Sequence, residues 1–216
     1  MYEHAREEMV HRQLEGRDIT DARVLTAMRA IPRERFVAQG CEDAAYEDRP
    51  LPIGERQTIS QPYIVALMLQ AAQLTPGDRL LEVGAGSGYA AAVAAHIVDR
   101  VIAIERHAAL CEAARQRLAA LGIANIRILA GDGTRGCPEE APFDAIIVSA
   151  AGPVPPDALK AQLRIGGRLV IPVGSDAQSL LRLRRVDDDR YEQDNLGEVV
   201  FVPLIGEQGW AESEAS

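Results

Sequence analysis

A glycine-rich turn carries the strongest chemical signal in the chain. The run Leu81-Glu82-Val83-Gly84-Ala85-Gly86-Ser87-Gly88-Tyr89 has the pattern of a strand, a turn and the start of a helix. Glycines in such a turn let the backbone approach a ligand closely. Gly84, Gly86 and Gly88 are spaced GxGxG, and Tyr89 stands where a dinucleotide-binding GxGxxG turn has its third glycine. The spacing therefore disfavours NAD as the ligand.

Three acidic residues follow the same order as the predicted strand ends. Glu82 precedes the turn, where a negative charge would repel a pyrophosphate and attract an ammonium or sulfonium group. Glu105 lies about 20 residues further on, where a carboxylate can accept hydrogen bonds from both hydroxyls of a ribose. Asp132, after the third strand, can accept from an adenine amine. Each residue alone also fits a purely structural role, but their order favours S-adenosylmethionine as the cofactor.

The elements that position these residues predict an α/β fold with a helical extension. Residues 1–74 are predicted to form N-terminal helices and an active-site loop. Residues 75–210 are predicted to form the cofactor-binding core, and residues 211–216 a frayed tail. Within residues 1–74, Asp21 is predicted to be the N-cap of a helix. Residues 48–62 predict an ordered loop because they are rich in proline and glycine. Ser60 is predicted to cap a helix that carries Pro62 in its first turn and runs to residue 73.

Strands and helices alternate from residue 75 onward, which predicts a parallel sheet covered on both faces. Strands are predicted at 79–83, 100–105, 126–130, 143–150 and 167–173, and helices at 89–98, 107–121 and 156–163. Strands at 180–186 and 198–204, joined by an Asp-rich turn over 186–195, predict an antiparallel hairpin at one sheet edge.

Composition excludes several functional classes. The chain has 23 Lys and Arg residues against 32 Asp and Glu residues, a net charge of −9, and 4% aromatic residues, so we expect no nucleic-acid partner. Cys41, Cys111 and Cys137 form no disulfide framework, which favours a reducing compartment. The four histidines lack metal-ligand spacing, so we expect no metal site. The sequence also shows no signal peptide and no apolar stretch of about 20 residues, so we expect no membrane association.

Nearly the whole chain resembles the protein-L-isoaspartate O-methyltransferase family. The most specific part of the resemblance is Thr58-Ile59-Ser60-Gln61-Pro62 with Ile53-Gly54 upstream, because the glycine turn is shared by many methyltransferases. The other matching segments are Asp48-Arg-Pro-Leu-Pro-Ile-Gly54, Arg23-Val-Leu-Thr-Ala-Met-Arg-Ala-Ile-Pro-Arg33, residues 81–92, Ala141-Pro-Phe-Asp-Ala-Ile-Ile-Val148, Gln162-Leu-Arg-Ile-Gly-Gly-Arg-Leu-Val-Ile-Pro-Val-Gly174 and Phe201-Val-Pro-Leu204.

The resemblance implies a class I, Rossmann-like methyltransferase with a mostly parallel doubly wound sheet, a C-terminal antiparallel hairpin and an N-terminal helical extension. It implies a cytoplasmic repair enzyme that methylates the α-carboxylate of L-isoaspartyl residues in damaged proteins and peptides, with S-adenosylmethionine as cofactor. The resulting ester then closes to a succinimide. We further expect a monomer.

The resemblance also implies which residues form the site. Ser60 falls on the active-site serine, and the region around Ile205 and Gln208 matches the tail that closes over the cofactor. Together with the glycine turn, the expected cofactor-binding residues are Gln57, Thr58, Ile59, Glu82, Gly84, Gly86, Gly88, Glu105, Arg106, Asp132, Gly133 and Gln208.

A departure from the family pattern and several alternative functions stay open on the sequence alone. Arg56 stands where many bacterial relatives carry glycine, and its cation can either assist carboxylate binding or point to solvent. A methyltransferase for small molecules or other proteins would share the glycine turn but would not need Thr58-Ile59-Ser60-Gln61-Pro62. A DNA or RNA amino-methyltransferase would carry Asn/Asp-Pro-Pro-Tyr where this chain has Ser149-Ala-Ala-Gly-Pro153. A non-catalytic interaction domain on the same fold is the remaining alternative.

Overall fold

The computed structural model describes residues 2–214, which fold as an α/β chain built around one large sheet. A π-helical segment, Val10–Glu15, continues the first helix. In chain order the elements are α1 (Tyr2–Met9), α2 (Ala22–Ala30), β1 (Leu51–Gly54), β2 (Gln57–Ile59), α3 (Pro62–Ala71), β3 (Arg79–Val83), α4 (Tyr89–Ala95), β4 (Arg100–Glu105), α5 (Ala108–Ala120), β5 (Ile126–Ala130), β6 (Phe143–Val148), α6 (Asp157–Ala161), β7 (Leu163–Val173), β8 (Gln178–Arg185) and β9 (Tyr191–Val199).

The seven-stranded sheet has the order β5-β4-β3-β6-β7-β8-β9. Strands β3 to β7 run parallel, and β8 and β9 add an antiparallel hairpin at the edge. From β3 the chain first builds outward through β4 and β5 and then returns to place β6 on the other side of β3. This reversal is the topological switch point at which open α/β sheets bind ligands. The predicted fold class is confirmed.

Alternate residues of the central strands supply two apolar clusters, one on each face of the sheet. Leu80 belongs to the larger cluster, which also contains buried residues of α2, α3 and α4. Leu81 and Val83 belong to the smaller cluster on the opposite face. The ring of Phe36 packs edge-on against that of Tyr89 in α4, with centroids 5.4 Å apart. Packing against the sheet thus fixes the N-terminal segment beside the glycine turn.

Residues 51–59 form a two-stranded antiparallel hairpin, so the prediction of a loop throughout 48–62 was wrong. Leu51 pairs with Ile59 and Pro52 with Thr58, with a register irregularity before Gly54. Pro52 is tolerated because this small sheet has only edge strands. The strands are only three and four residues long, and their pattern was hidden by proline and glycine. The hairpin fixes the backbone of Thr58 and Ile59, and Ser60 follows directly after it.

The cap of α3 also differs from the prediction. Gln61, not Ser60, is the N-cap residue, and it makes no side-chain cap hydrogen bond. Pro62 occupies the first helical position, which proline favours, and the cap is therefore the residue immediately before it. The N–H of Tyr63 is instead accepted by Asp48 Oδ1 at 3.2 Å, so a distant carboxylate caps this helix. The Ser60 side chain is left free of a capping role.

The C-terminal hairpin is confirmed, but its second strand was placed several residues too late. Strand β9 pairs with β8 from Tyr191 to Val199, whereas 198–204 was predicted. Most side chains of β9 are exposed and polar, so the strand carries little apolar alternation. The apolar residues after it return to the core, where the N–H of Leu204 and the carbonyl of Val202 both bond the backbone of Ala151 at 2.8 Å.

The final residues are only partly described. Glu212–Glu214 form a turn of 3₁₀ helix. Fraying was predicted for residues 211–216, of which 215 and 216 lie outside the described residues, as does residue 1. The division at residue 74 stays a prediction, although one apolar cluster draws on residues from both sides of it.

Candidate active site

A cavity of about 670 Å³ opens at the carboxyl ends of β3, β4 and β6. Its walls come from the β1–β2 hairpin, the glycine turn, the end of β4 and the segment after β9. This position is the switch point of the sheet. The predicted site residues that line it are Gln57, Thr58, Ile59, Ser60, Glu82, Gly84, Gly86, Glu105, Arg106 and Gly133.

The glycine turn needs residues without side chains at two places. Gly84 has φ +84° and Gly86 has φ +52°, both in the left-handed region. A Cβ at Gly86 would lie 3.1 Å from Ile53 Cδ1 in β1, which is tighter than ordinary packing. The turn therefore lies directly against the hairpin, and its backbone is open to the cavity.

Glu105 holds the turn in this shape. Its Oε2 accepts the N–H of Gly86 at 2.8 Å, and its Oε1 accepts the N–H of His107 at 2.9 Å. The residue is only 4% exposed. Each carboxylate oxygen has a second lone pair, so both can still accept from a ligand hydroxyl. Glu105 thus joins the glycine turn to the start of α5 and presents acceptors to the cavity.

Glu82 lines the cavity in a different state from the one predicted. It is 2% exposed, and its Oε2 has no hydrogen-bond partner among the described residues. Burial, together with the nearby charge of Glu105, raises its pKa to about 8. A fixed negative charge was expected at this position; the raised pKa instead favours the protonated carboxyl at pH 7, because burial beside a second carboxylate penalises the charged form.

This shift predicts that stability falls as pH rises. Between the ordinary pKa of 4.5 and the folded pKa of about 8, the folded state holds a proton on Glu82 that the unfolded state has lost. The free energy of unfolding should therefore decrease by up to about 1.4 kcal/mol per pH unit in this window from this one group. Urea unfolding at pH 6, 7 and 8 should show a shallower decline in Glu82→Gln than in the parent protein. Equal declines would contradict the assignment.

Two predicted cofactor residues lie outside the cavity lining and anchor the C-terminal segment. Asp132 Oδ1 accepts from the N–H and hydroxyl of Thr134, and Oδ2 accepts the N–H of Glu207 at 2.8 Å. Although burial acts to raise it, the donors from Glu207 and Thr134 hold the pKa of Asp132 below its ordinary value. Gln208 Oε1 accepts the N–H of Ala158 at 3.0 Å in the first turn of α6. Their cofactor contacts stay predictions.

Gly88 also lies outside the lining. It is the N-cap of α4, with φ +85°. A Cβ there would lie 3.4 Å from Ala114 Cβ and 3.6 Å from Leu118 Cδ1, both in α5. A Cβ would therefore meet only ordinary contacts, so the left-handed backbone is what favours glycine here, and a contact with the cofactor stays a prediction.

The segment after β9 forms a wall of the cavity that the sequence analysis described only in part. Val202, Pro203 and Leu204 line it together with Ile205, the one member of this group expected near the cofactor. The available signal was the apolar stretch after a polar strand. Farther along, the Glu212 carboxylate lies 2.7 Å from Nη2 of Arg106, so an ion pair joins the end of this segment to the residue after β4.

Arg56 lies at the rim of the cavity. It is exposed, lines the cavity and has φ +54° in the turn between β1 and β2. A non-glycine residue in this left-handed conformation costs about 1–2 kcal/mol. Arg56 forms no ion pair with the other described residues, and its guanidinium is available to a ligand in the cavity.

Residues 2–214 contain neither a candidate metal site nor a membrane-spanning helix. No group of three or more His, Cys, Asp and Glu side chains is arranged to hold a metal ion. In the same part of the chain, every helix is too short or too polar to cross a bilayer. The expected absence of a metal stays a prediction.

Comparison with known proteins identifies the family. Residues 4–209 match the family model of Protein-L-isoaspartate(D-aspartate) O-methyltransferase. The chain belongs to this family. A protein-L-isoaspartate O-methyltransferase of Methylorubrum extorquens (strain PA1) is 61% identical over 209 residues, covering 96% of this chain and 91% of that protein. Protein-L-isoaspartate O-methyltransferase 1 of Rhodopseudomonas palustris (strain HaA2) is 58% identical over 210 residues, covering 95% and 85%.

Solved structures agree. A protein-L-isoaspartate O-methyltransferase superposes with a TM-score of 0.86 at 30% identity, covering 94% of this chain and 67% of that one. A Plasmodium falciparum protein described as a putative member of the family, in complex with S-adenosyl-L-homocysteine, superposes with a TM-score of 0.80 at 28% identity, covering 93% and 98%. The family predicted from the sequence is confirmed.

Proposed function

We propose that the protein transfers a methyl group from S-adenosylmethionine to the α-carboxylate of L-isoaspartyl residues in damaged proteins and peptides, which begins repair through a succinimide. The protein is a methyltransferase of the isoaspartate family, and this activity follows from membership over nearly the whole chain. The position of Ser60 carries the proposal in structural terms. It lines the cavity at the strand ends and also an adjoining groove of about 250 Å³.

The cavity residues fit the cofactor. The volume of the cavity suits a nucleoside that carries an amino-acid arm. Glu105 presents carboxylate oxygens at the end of β4, where ribose hydroxyls bind in this fold. Glu82 offers a buried carboxyl oxygen that no described residue bonds, which can accept a hydrogen bond from a ligand donor. S-adenosylmethionine, when bound, supplies an electrophilic methyl group on a positively charged sulfur.

The chain's own residues mainly have to align the reacting groups. An isoaspartyl carboxylate has an ordinary pKa near 4, so it is already the nucleophile at pH 7 and needs no general base. The transfer is an in-line displacement that cancels charge, which a water-poor cavity favours. Correct alignment can supply several kcal/mol. Val202, Leu204 and Ile205 supply an apolar wall to this cavity.

Ser60 orients the acceptor in this mechanism. Its hydroxyl caps no helix, so it is available to donate to an oxygen of the substrate carboxylate. Thr58 and Ser60 line both the cavity and the adjoining groove, which also contains Pro50, Ile64 and Phe201. We assign this groove to the substrate backbone next to the isoaspartyl residue. Gln57, Thr58 and Ile59 then form the border between substrate and cofactor.

The same proposal includes the setting of the enzyme. We propose a cytoplasmic monomer that acts on damaged proteins and peptides and binds neither nucleic acid nor membranes. The net charge of −9 supports the absence of nucleic-acid binding, and the three cysteines, none of them in a disulfide, support a reducing compartment.

Calorimetry tests the cofactor part of this proposal. The protein should bind S-adenosylhomocysteine with a stoichiometry of one, because the cavity holds the nucleoside and the Glu105 carboxylate faces its ribose. NAD should give no measurable heat, since Tyr89 replaces the third glycine of a dinucleotide turn. Tight binding of NAD, or no binding of S-adenosylhomocysteine, would contradict it.

A further inference from the structure

A fully buried arginine contacts the backbone of Ser60, in the segment Thr58-Ile59-Ser60 that we call the serine segment. Arg33 is 0% exposed. Its Nε donates to the carbonyl of Ala45 at 2.7 Å, and its Nη2 donates to the carbonyl of Ser60 at 2.8 Å. Its guanidinium carbon lies 4.9 Å from the centre of the Tyr89 ring, at the start of α4. Arg33 therefore joins the serine segment to the helix that follows the glycine turn.

These contacts restrict the backbone of Ser60 from both sides. On the N-terminal side, Ile59 is held in the β1–β2 ladder opposite Leu51. On the C-terminal side, the carbonyl of Ser60 is directed inward by Arg33. With both flanking peptide groups fixed, the direction of the Ser60 Cα–Cβ bond is fixed as well. Precise placement of the hydroxyl is what an alignment mechanism requires.

Arg33 also supplies positive charge near Ser60, which the N-terminal end of α3 does not. Arg33 forms no ion pair with a carboxylate of residues 2–214, and its Nη1 has no hydrogen-bond acceptor in that part of the chain. Burial lowers its pKa, but a guanidinium remains protonated. The positive end of α3 is offset by the Asp48 carboxylate, which accepts from Tyr63. Asp48 also attracts the Arg33 guanidinium without pairing with it, and Arg33 is the cation whose hydrogen bond reaches Ser60 itself.

We propose that Arg33 is a positioning residue for the methyl-transfer reaction, which holds Ser60 in place through its carbonyl and favours an anionic substrate group beside it. This inference rests on the proposed role of Ser60. Arg33 lies outside the cavity lining, so it acts through Ser60 and not by touching the substrate or the cofactor.

A double-mutant cycle tests this proposal. In Arg33→Lys the charge is kept, but one ammonium group cannot reach two carbonyls in the fixed geometry of the guanidinium. We expect the KM for an isoaspartyl peptide to rise about tenfold, the size of one charge-assisted hydrogen bond, with the Kd for S-adenosylhomocysteine unchanged. In a Ser60→Ala background the same change should have an effect smaller than about twofold, because the group that Arg33 positions is gone.

The outcomes separate the two claims. If Ser60→Ala itself leaves turnover unchanged, the proposed role of Ser60 is wrong. If Ser60→Ala is impaired and Arg33→Lys multiplies KM by the same factor in both backgrounds, only the Arg33 proposal is overturned. Arg33→Gln, which also removes the charge, should raise KM more than Arg33→Lys, and part of that rise should persist in Ser60→Ala because the charge acts on the substrate itself. If the lysine variant does not fold, the glutamine variant replaces it in the cycle: its KM factor should be larger with Ser60 present than in Ser60→Ala, and equal factors would overturn the proposal.

Arg168 provides a matched control. It is a second buried arginine outside the cavity lining, whose Nε and Nη2 donate to the carbonyls of Ala72 and Gln73 at 2.7 Å and whose Nη2 also lies 3.5 Å from Asp78 Oδ2. Arg168→Lys should lower the Tm about as much as Arg33→Lys and leave the peptide KM unchanged. A peptide KM that rises equally in both variants would show that loss of any buried arginine has this effect, and would overturn the proposal.

Discussion

Replacing Ser60 with alanine should lower kcat/KM for an isoaspartyl peptide by about a hundredfold, the usual cost of removing one positioned donor. The Tm should not change, because the hydroxyl caps no helix and Gln61 is the N-cap. The Kd for S-adenosylhomocysteine should also be unchanged, since the nucleoside is held by the glycine turn and the end of β4. Steady-state kinetics, thermal unfolding and calorimetry on one preparation measure all three.

Ser179→Ala is the control for this change. Ser179 lies on β8, and its hydroxyl accepts a hydrogen bond from Asn195 Nδ2 across the hairpin at 3.3 Å. The control should retain full activity. A Ser60→Ala enzyme with near-normal kcat/KM, or one that loses stability and activity together, would mean that the serine is structural.

Replacing Glu105 with alanine should have the largest effect on the cofactor. We expect the Kd for S-adenosylhomocysteine to rise by at least about a hundredfold, because two acceptors for ribose hydroxyls are lost. The N–H groups of Gly86 and His107 also lose their partner, so the free energy of unfolding should fall by about 2 kcal/mol. Calorimetry and urea unfolding measure the two losses separately.

Glu105→Gln sharpens this test. An amide has one acceptor oxygen, so its NH₂ group must face the N–H of either Gly86 or His107, and affinity should fall although the shape is kept. Glu112→Gln, an exposed change on α5, should bind normally. Unchanged affinity in both Glu105 variants would remove the ribose assignment.

The sequence predicted the parallel core well because its signals are local. Strands at 79–83, 100–105 and 126–130 have the predicted bounds, since apolar runs there are interrupted by charged residues and glycine. Strand 191–199 was misplaced because it lies at a sheet edge with polar residues on most positions. The hairpin at 51–59 was missed because its strands are only four and three residues long and carry proline and glycine, which in a local pattern indicate a loop.

The candidate site was predictable where residue type and strand order decide it. Glu105 and the glycine turn are such cases, and both lie at the cavity. The charge state of Glu82 was not predictable, because it depends on burial beside a second carboxylate. The role of Arg33 was hidden for a similar reason, since its partners are backbone carbonyls brought together only by the fold.

A methylation assay on a matched pair of peptides tests the central claim most directly. The two peptides have the same sequence and differ only in whether one residue is L-isoaspartyl or L-aspartyl. With labelled S-adenosylmethionine, we expect base-labile methyl ester on the isoaspartyl peptide and background label on the aspartyl peptide. Equal labelling of both peptides, or labelling of neither, would contradict the account.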